Sequence, residues 1–457
     1  MTHVDVIIIG AGPGGYETAV LSAKAGLRTV VVESDKLGGT CLNVGCIPTK
    51  CLCHTASVLQ EIKNSSSLGI KADGVTFNLH EAMERKNRVI SQLAGGIEAL
   101  LKTPLITSIR GKASFIDSHS IKVMPADTTT ECPETEFTAP SIIIATGSVP
   151  KFLPIEGKDI PGVLTSTELL EIDNVPARLC IIGGGVIGIE FASIFNAFGS
   201  HVTVVEYCKE ILPNFDSDIA KRLRLSLKAR GIEFQTGAAV NVIRRAESGL
   251  ETGYLMKGTQ QTTTADVILM AVGRGPNLRS LNLDDVGIEY DKRGIKTDEN
   301  LQTNIPGVYA IGDINGKVQL AHAAYAQGRV ALAHIMGKPS GIRLDIMPAA
   351  VFSSPEAACV GLSQDQCKAQ GIDVRVGKSF FRSNGKALAI NDTDGMLKLL
   401  SDPDGKILGC HIFGPHASDL IQEVAALMNK NASVDDLRRI IHGHPTLSEV
   451  VQKASEA

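Results

Sequence analysis

Several hydrophobic residues of this chain form short unbroken runs bounded by glycine or charge. Val4-Asp5-Val6-Ile7-Ile8-Ile9 is the first and Thr29-Val30-Val31-Val32 the second. Later come Leu179-Cys180-Ile181-Ile182 and Val202-Thr203-Val204-Val205. Runs of this length, rich in β-branched residues, are what a strand buried on both faces of a parallel sheet needs. A helical stretch follows the first member of each pair, from Ile189 to Phe198 in the second case. The pattern predicts two strand–helix–strand units in one chain, an internal repeat on the scale of a domain.

Each unit turns on glycines. Gly10-Ala11-Gly12-Pro13-Gly14-Gly15 follows the first run, and Gly183-Gly184-Gly185-Val186-Ile187-Gly188 follows the third. The first glycine permits a tight turn, the second lets backbone approach a pyrophosphate, and the last lets helix pack on strand. The helix then opens with its free N–H groups toward phosphate. About 20 residues on, where an acid holds a ribose hydroxyl, stand Glu33 and Glu206. Two dinucleotide sites imply two cofactors, or one cofactor and one dinucleotide substrate. Glu206 also bears on which dinucleotide is taken. A 2′-phosphate roughly 4 Å from it meets about 1 kcal/mol of repulsion per charge pair in water and about 4 at an effective dielectric near 20. Tyr207-Cys208-Lys209-Glu210 offers one lysine and no arginine pair to offset this.

The rest of the chain reads in outline. Ser91 to Thr107 is expected as a helix with a loop, and Thr107 to Phe137 as short strands with polar turns. Strands ending in small residues are expected at Pro140 to Gly147 and at Asp266 to Arg274. Val308 to Ile311 ends in Gly312-Asp313, where the carboxylate suits either a sugar-like hydroxyl or a helix N-cap. From about Leu344 the chain alternates β-type runs with turns: Ala349 to Phe352, Ile372 to Val376 with period two, and Ile407 to Phe413 after the hairpin signal Asp402-Pro403-Asp404-Gly405. A helix from Ser418 to Met428 follows. The expected architecture is α/β: two Rossmann-like dinucleotide-binding domains plus a C-terminal α+β interface domain. Its expected boundaries are 1–149, 150–275, a return to the first domain over 276–343, and 344–457.

Composition narrows the class. The chain has 457 residues, a net charge of -4, no Trp and 45 Gly. That length suggests two to four domains. Neither a basic tract nor a basic–aromatic alternation appears, which argues against nucleic acid and anionic membranes as partners. No apolar run approaches the ~20 residues of a membrane span. The first strand begins at Val4, leaving no room for a presequence, so a cytoplasmic protein or a mature mitochondrial form is expected. The ten cysteines are scattered through apolar contexts, as in a reducing compartment, and no metal site is expected.

Two of those cysteines carry chemistry. Gly38-Gly39-Thr40-Cys41-Leu42-Asn43-Val44-Gly45-Cys46-Ile47-Pro48 follows directly on the first nucleotide unit. A redox-active dithiol beside a nucleotide lets electrons pass between a bound ring and a sulfur pair. On one regular helix, five steps of about 100° put Cys41 and Cys46 about 140° apart. A disulfide therefore needs a distorted or just-starting helix, to which Gly45 and Pro48 are suited. Cys46 near a helix N-terminus is a stabilised thiolate, and Lys50, one turn on, adds positive charge. Thiol–disulfide exchange also needs a proton carrier. His442-Gly443-His444-Pro445-Thr446-Leu447-Ser448-Glu449 offers one: His444 oriented by Glu449. The same residues Thr446 to Glu449 read equally as a helix capping box. No other His–acid pair competes well with His444–Glu449.

The dithiol segment, both glycine turns, Ala145-Thr146-Gly147, Gly312-Asp313 and His444 to Glu449 together resemble the flavoprotein pyridine nucleotide-disulfide oxidoreductases, over about residues 4 to 453. Within that family the likeness is greatest to the branch that oxidises dihydrolipoyl groups. The resemblance implies FAD at Gly10, Gly12, Gly15, Glu33, Gly147 and Asp313, and NAD at Gly183, Gly185, Gly188 and Glu206. It adds Lys50, Ala145, Thr146, Gly312, Ala321 and Gly273 as cofactor contacts. It implies that Cys41 exchanges with substrate, that Cys46 contacts the flavin, and that Lys50 and Glu190 pair beside the flavin ring. It makes His444 and Glu449 an acid–base couple supplied across a homodimer with shared active sites. Lipoyl domains of a 2-oxoacid dehydrogenase complex or of a glycine cleavage system are the implied partners. Glutathione reductases have a tyrosine where Val186 stands, an alanine where Gly188 stands, and arginines for a 2′-phosphate. Mercuric reductases add a C-terminal cysteine pair. An NADPH-dependent reductase of the glutathione-reductase type, or a non-catalytic flavin-binding interaction protein, are the alternatives. Two departures stand out: Ala321 to Gly328 is less acidic than usual, and Cys51 and Cys53 occupy places where aliphatic residues are common.

Overall fold

The computed structural model describes residues 1–126 and 135–457. Its residues fall into two compact units. One comprises Met1–Pro48, Met83–Lys151 and Arg274–Leu344; the other comprises Thr49–Ala82, Phe152–Gly273 and Asp345–Ala457.

The first unit is built on a five-stranded parallel sheet. Its order is Val308–Ala310, Ser141–Ile144, Val6–Ile9, Thr29–Glu33, Ile106–Arg110. Val6–Ile9 and Ser141–Ile144 are buried along their whole length, which is why the sequence shows runs there rather than alternation. The helix Pro13–Lys24 follows the central strand and packs on the helix Ala321–Ile335. A smaller four-stranded sheet holds Thr2–His3, Thr135–Thr138, Ser120–Met124 and Lys112–Asp117. The strands expected between Thr107 and Phe137 are thus present, apart from residues 127–134, which lie outside the described residues. The helix expected from Ser91 begins much earlier, at Leu79, and ends at Leu101; Ile106 and Thr107 already belong to a strand.

The second unit repeats the design. Val163–Leu164, Val267–Met270, Arg178–Ile182, His201–Glu206 and Glu233–Thr236 form a five-stranded parallel sheet in that order. The helix Val186–Phe198 leaves its central strand. An antiparallel meander of Ala238–Ala246, Gly249–Met256 and Thr259–Ala265 accompanies it. The C-terminal segment contributes an antiparallel sheet ordered Ala349–Val351, Glu356–Gly361, Ile407–Gly414, Met396–Ser401, Arg375–Phe380. The helices Ala417–Asn429 and Glu449–Glu456 cover it around a core including Phe381, Leu397, Ile412 and Val451. The strand read at Ile372 to Val376 lies further on, at Arg375–Phe380, and includes Gly377. A Cβ at Gly377 would sit 1.9 Å from the Ala454 carbonyl oxygen, so the glycine is where the terminal helix comes down onto the sheet.

A buried ion pair also lies inside this unit. Lys398 Nζ reaches Asp216 Oδ1 at 2.8 Å and Oδ2 at 2.9 Å, with side-chain exposures of 3% and 0%. Asp216 also accepts from the backbone N–H groups of Asp218 and Gln364. No helix among the described residues is long and apolar enough to cross a membrane.

Candidate active site

The two glycine turns match almost bond for bond. Gly10 N–H donates to Val32 O at 2.8 Å, and Gly183 N–H to Val205 O at 2.9 Å. Ala145 N–H donates to Ile9 O and Ala271 N–H to Ile182 O, both at 2.8 Å. Gly10 has φ 105° and Gly183 φ 111°; a Cβ on either would lie 2.4 Å from the carbonyl oxygen of Ala145 or Ala271. The last glycines make the close helix–strand contact: a Cβ at Gly15 or Gly188 would meet the carbonyl of Gly10 or Gly183 at 1.9 and 2.0 Å.

The middle glycines are different. Gly12 has one atom near its Cβ position, at 4.0 Å, and Gly185 has none within 4 Å. Packing of the protein therefore does not explain them, whereas approach of a ligand does. Gly12 and Gly185 are the N-caps of their helices, neither with a side-chain cap, so the first N–H groups are left for an anion. On these observations both turns fit the pyrophosphate of a dinucleotide.

The acids have a task that sequence reading missed. Glu33 accepts from Ala11 N–H at 2.7 Å and Asp35 N–H at 2.8 Å. Glu206 accepts from Gly184 N–H and Cys208 N–H, each at 2.5 Å. Each acid thus ties its own strand end to its own glycine turn, and remaining lone pairs are available to a ribose. Burial pushes the Glu33 carboxyl up, against those two N–H bonds.

Around the first turn, Thr146 Oγ1 donates to Asn277 O at 2.9 Å and Asn277 N–H donates to Gly147 O at 3.0 Å. Asp313 does not cap a helix. It lies inside the short 3₁₀ turn Gly312–Asn315, whose N-cap is Ile311, and it accepts from the Ser148 hydroxyl at 2.5 Å. Burial raises its carboxyl above the usual range. Gln327 lies in the stretch flagged as unusually low in acids. Its buried amide oxygen accepts from Gly312 N–H at 2.7 Å and from the Asn315 side chain at 2.8 Å, fixing the turn. Ala321 is the first residue of the helix Ala321–Ile335. Gly273, with φ 102°, has nothing within 4 Å of its Cβ position.

The dithiol segment rests on the first turn. Gly38 N–H donates to Ala11 O at 2.8 Å, and a Cβ on Gly39 would come within 2.8 Å of Gly12 Cα. Cys41 lies in the helix Gly39–Val44, and Cys46 opens a new helix, Cys46–Asn64. The break between them is Gly45, where a Cβ would lie 2.8 Å from Thr40 O. The two cysteines are thus not five steps along one helix, which removes the 140° objection. Cys46, as first residue of 19, lies at the positive end of the helix dipole.

Lys50 Nζ contacts both carboxylate oxygens of Glu190 at 3.0 Å and lies 4.5 Å from the Phe352 ring centroid. Glu190 is buried and also accepts from Phe352 N–H at 2.9 Å. Cys51 is buried. Burial, then the Glu190 charge, raises the Cys53 thiol, so it is held protonated.

His444 Nδ1 is 2.9 Å from Glu449 Oε1, with exposures of 76% and 21%. Glu449 Oε2 accepts from Thr446 N–H at 2.9 Å, but Thr446 is not the helix N-cap; the helix begins at Glu449 after Ser448, which makes no side-chain cap bond. The capping box read at Thr446 to Glu449 is therefore not formed, and the Thr446 hydroxyl donates to Gly443 O. The carboxylate serves ring and Thr446 backbone together. The bond from His444, then that from Thr446, holds it below the usual range. One reading needs correction: a second His–acid pair stands beside this one. His442 Nε2 lies 2.8 Å from Glu423 Oε1, with the ring 4% exposed. Those residues are 19 apart, so no local spacing reveals them.

A family model described as pyridine nucleotide-disulphide oxidoreductase matches residues 4–328, and one for that family's dimerisation domain matches 347–455. The chain belongs to the pyridine nucleotide-disulphide oxidoreductases. It carries their dimerisation domain. It is 40% identical over 456 residues to the dihydrolipoyl dehydrogenase of Geobacillus stearothermophilus, covering 99% of this chain and 96% of that one. It is 39% identical over 459 residues to the mitochondrial dihydrolipoyl dehydrogenase of Pisum sativum, covering 99% and 91%. Among solved structures it is similar to a Cu(II) complex of the HOCl-induced flavoprotein disulfide reductase RclA from Escherichia coli. The TM-score is 0.87 at 31% identity, with 100% and 99% of the two chains covered.

Proposed function

We propose that the chain oxidises protein-bound dihydrolipoyl groups to the lipoyl disulfide, with FAD as resident cofactor and NAD⁺ as acceptor. The observation that carries the reading is the dithiol split over two helices and seated directly on a nucleotide turn. The lipoyl substrate and NAD are favoured by the full-length likeness to dihydrolipoyl dehydrogenases and by Glu206.

In this reading a substrate thiolate attacks Cys41 Sγ, the Cys41–Cys46 bond breaks, and Cys46 leaves as a thiolate at the start of its helix. The second substrate sulfur then attacks the mixed disulfide and releases Cys41. His444 takes the proton given up by the substrate thiol, and Glu449 holds the ring for the transfer. A bound FAD would supply the two-electron transfer that links the reduced cysteines to NAD⁺. The resemblance gives the Lys50–Glu190 pair its role toward the flavin. In this reading Gly10, Gly12, Gly15, Glu33, Thr146, Gly147 and Asp313 would hold FAD, and Gly183, Gly185, Gly188 and Glu206 would hold NAD.

The chain works as a homodimer with shared active sites, and lipoyl domains are its partners. The support is the dimerisation domain and a His444 ring that is mostly exposed on its own chain.

The test is NADH formation from a panel of dithiols, with NADP⁺ as the competing acceptor. Dihydrolipoamide with NAD⁺ should be the fastest pair. NADPH-dependent reduction of glutathione disulfide as the dominant activity would refute the reading in favour of the reductase alternative. For shared sites, Cys41→Ser and His444→Gln chains are mixed under subunit exchange. Activity should return, because half the sites of a heterodimer then carry neither defect.

A further inference from the structure

Arg274 was not among the residues singled out by sequence, yet its guanidinium reaches the dithiol segment. Nε donates to Ser148 Oγ at 2.8 Å. One terminal nitrogen donates to Ser148 O at 2.7 Å and to Thr40 Oγ1 at 3.3 Å. Thr40 precedes Cys41, and its carbonyl is the group against Gly45, so Arg274 grips the segment at the point that shapes the break between the cysteines. Ser148 in turn donates to Asp313. The result is a chain Thr40–Arg274–Ser148–Asp313 with its cation in the middle.

The charge in this chain is not matched in contact. Arg274 is partly buried, and among the described residues its direct acceptors are the neutral oxygens of Ser148 and Thr40. Asp313 stands on the far side of Ser148. A cation drawn from water needs a nearby anion. Burial lowers the guanidinium pKa, and the charges that act against this are Asp313 first and Cys46 second. Lys50, by contrast, meets both oxygens of Glu190, which cancels most of its field.

We infer that Arg274 is a positioning residue of the dithiol: it fixes the Thr40 end of the segment and supplies the standing positive charge that favours Cys46 as a thiolate once the pair is reduced. This rests on the dithiol chemistry proposed above. Other ionisable groups tied to the segment are Cys41, the Tyr16–Tyr325 pair joined at 3.1 Å, Glu17 and Asp313, and along the chain Lys50 follows Cys46 by one helical turn, paired with Glu190. Of these only Lys50 is a cation, and it is neutralised.

The test uses FAD-containing enzyme with Cys41→Ser, so that Cys46 is the remaining thiol of the pair. The rate of Cys46 alkylation by iodoacetamide is followed against pH by peptide mass spectrometry. Adding Arg274→Gln should raise the midpoint by about one pH unit, about tenfold less thiolate at a fixed lower pH. Arg274→Lys should restore most of the shift. Thr40→Val, which removes the bond and keeps the charge, should leave the midpoint nearly in place. Asp313→Asn should move it the opposite way, which keeps the idea testable if Arg274→Gln does not accumulate. In the two-cysteine enzyme, Arg274→Gln should shift the equilibrium with glutathione buffers toward the disulfide. An unmoved midpoint in Arg274→Gln or in Asp313→Asn, or a Thr40→Val shift as large as that of Arg274→Gln, overturns the inference. None of these readouts uses dihydrolipoamide or NAD⁺. Failure of the chain to oxidise dihydrolipoamide would therefore count against the proposed function and leave the Arg274 result standing.

Discussion

Replacing Glu206 separates charge from architecture at the proposed NAD site. In the wild type its two oxygens accept from Gly184 N–H and Cys208 N–H. Glu206→Gln removes the negative charge and keeps one acceptor. Glu206→Ala removes both acceptors. A backbone N–H left unmatched in a buried place costs about 1–3 kcal/mol, but it distorts the turn for NAD⁺ and NADP⁺ alike. That cost cancels in the ratio of the two. Repulsion of a 2′-phosphate does not cancel. At about 4 Å it amounts to roughly 1 kcal/mol per charge pair in water and about 4 at an effective dielectric near 20. These figures correspond to factors of about 5 and about 10³. Glu206 is buried, which favours the upper part of the range. Both variants should lower kcat/KM for NAD⁺, Ala more than Gln. Both should narrow the NAD⁺/NADP⁺ ratio by a similar factor within that range. The assay is kcat/KM for each acceptor at saturating dihydrolipoamide. A ratio unchanged in Glu206→Gln, or a wild type that prefers NADP⁺, refutes the reasoning.

Other outcomes follow from the same geometry. Cys41→Ser should abolish dihydrolipoamide oxidation while FAD stays bound, checked by turnover and flavin absorbance; near-normal turnover would reverse the roles given to the two cysteines. His444→Gln should lower dihydrolipoamide turnover about 10²–10⁴-fold and leave electron transfer from NADH to the flavin almost unchanged, which stopped-flow absorbance resolves. Lys398→Met leaves Asp216 buried without its ammonium and should cost about 3–5 kcal/mol in urea unfolding. The pH dependence should also change sign. Burial raises the wild-type Asp216 carboxyl, but Lys398 and the backbone N–H groups outweigh it and hold the group low, so its stabilisation is present above the unfolded value of about 3.9 and fades as pH falls through the folded one. Without the lysine, burial dominates, and stability should instead fall as pH rises past about 3.9.

The nucleotide units were legible because strands such as Val6–Ile9 are buried on both faces, so hydrophobicity is continuous and glycine marks the turn. The helix Leu79–Leu101 was half missed for the opposite reason. Its first half is largely charged, and one of its fully buried positions is Lys86, which breaks the apolar stripe a reader looks for. Gly377 shifted the reading of its strand, since a glycine that admits a helix backbone looks locally like a strand end. The cysteines, the acids and His444 were legible as motifs. Arg274, Ser148, Gln327 and the Glu423–His442 pair were not. Each bonds a partner a dozen to more than a hundred residues away, and neither periodicity nor local spacing records such a bond.

The self-contained bonding of the two turns bears on how long each nucleotide stays. Glu33 and Glu206 each bond one N–H of their turn from within, at Ala11 and Gly184, so neither turn has to be assembled by its ligand, and little ordering opposes entry. The turns alone then cannot distinguish a nucleotide that remains for the life of the enzyme from one that departs every cycle. The difference must come from their surroundings. Near the first turn, groups from remote parts of the chain are fixed by their own bonds: Thr146 to Asn277, Ser148 to Asp313, and Gln327 to the Gly312 turn. The glycines that follow the adjoining strands, Gly147 in the first unit and Gly273 in the second, are equally open around the Cβ position, so they do not separate the two turns. A difference in residence time between two nucleotides held this way would then have to arise from the side-chain bonds around the first turn, not from the grip on the pyrophosphate that both turns share.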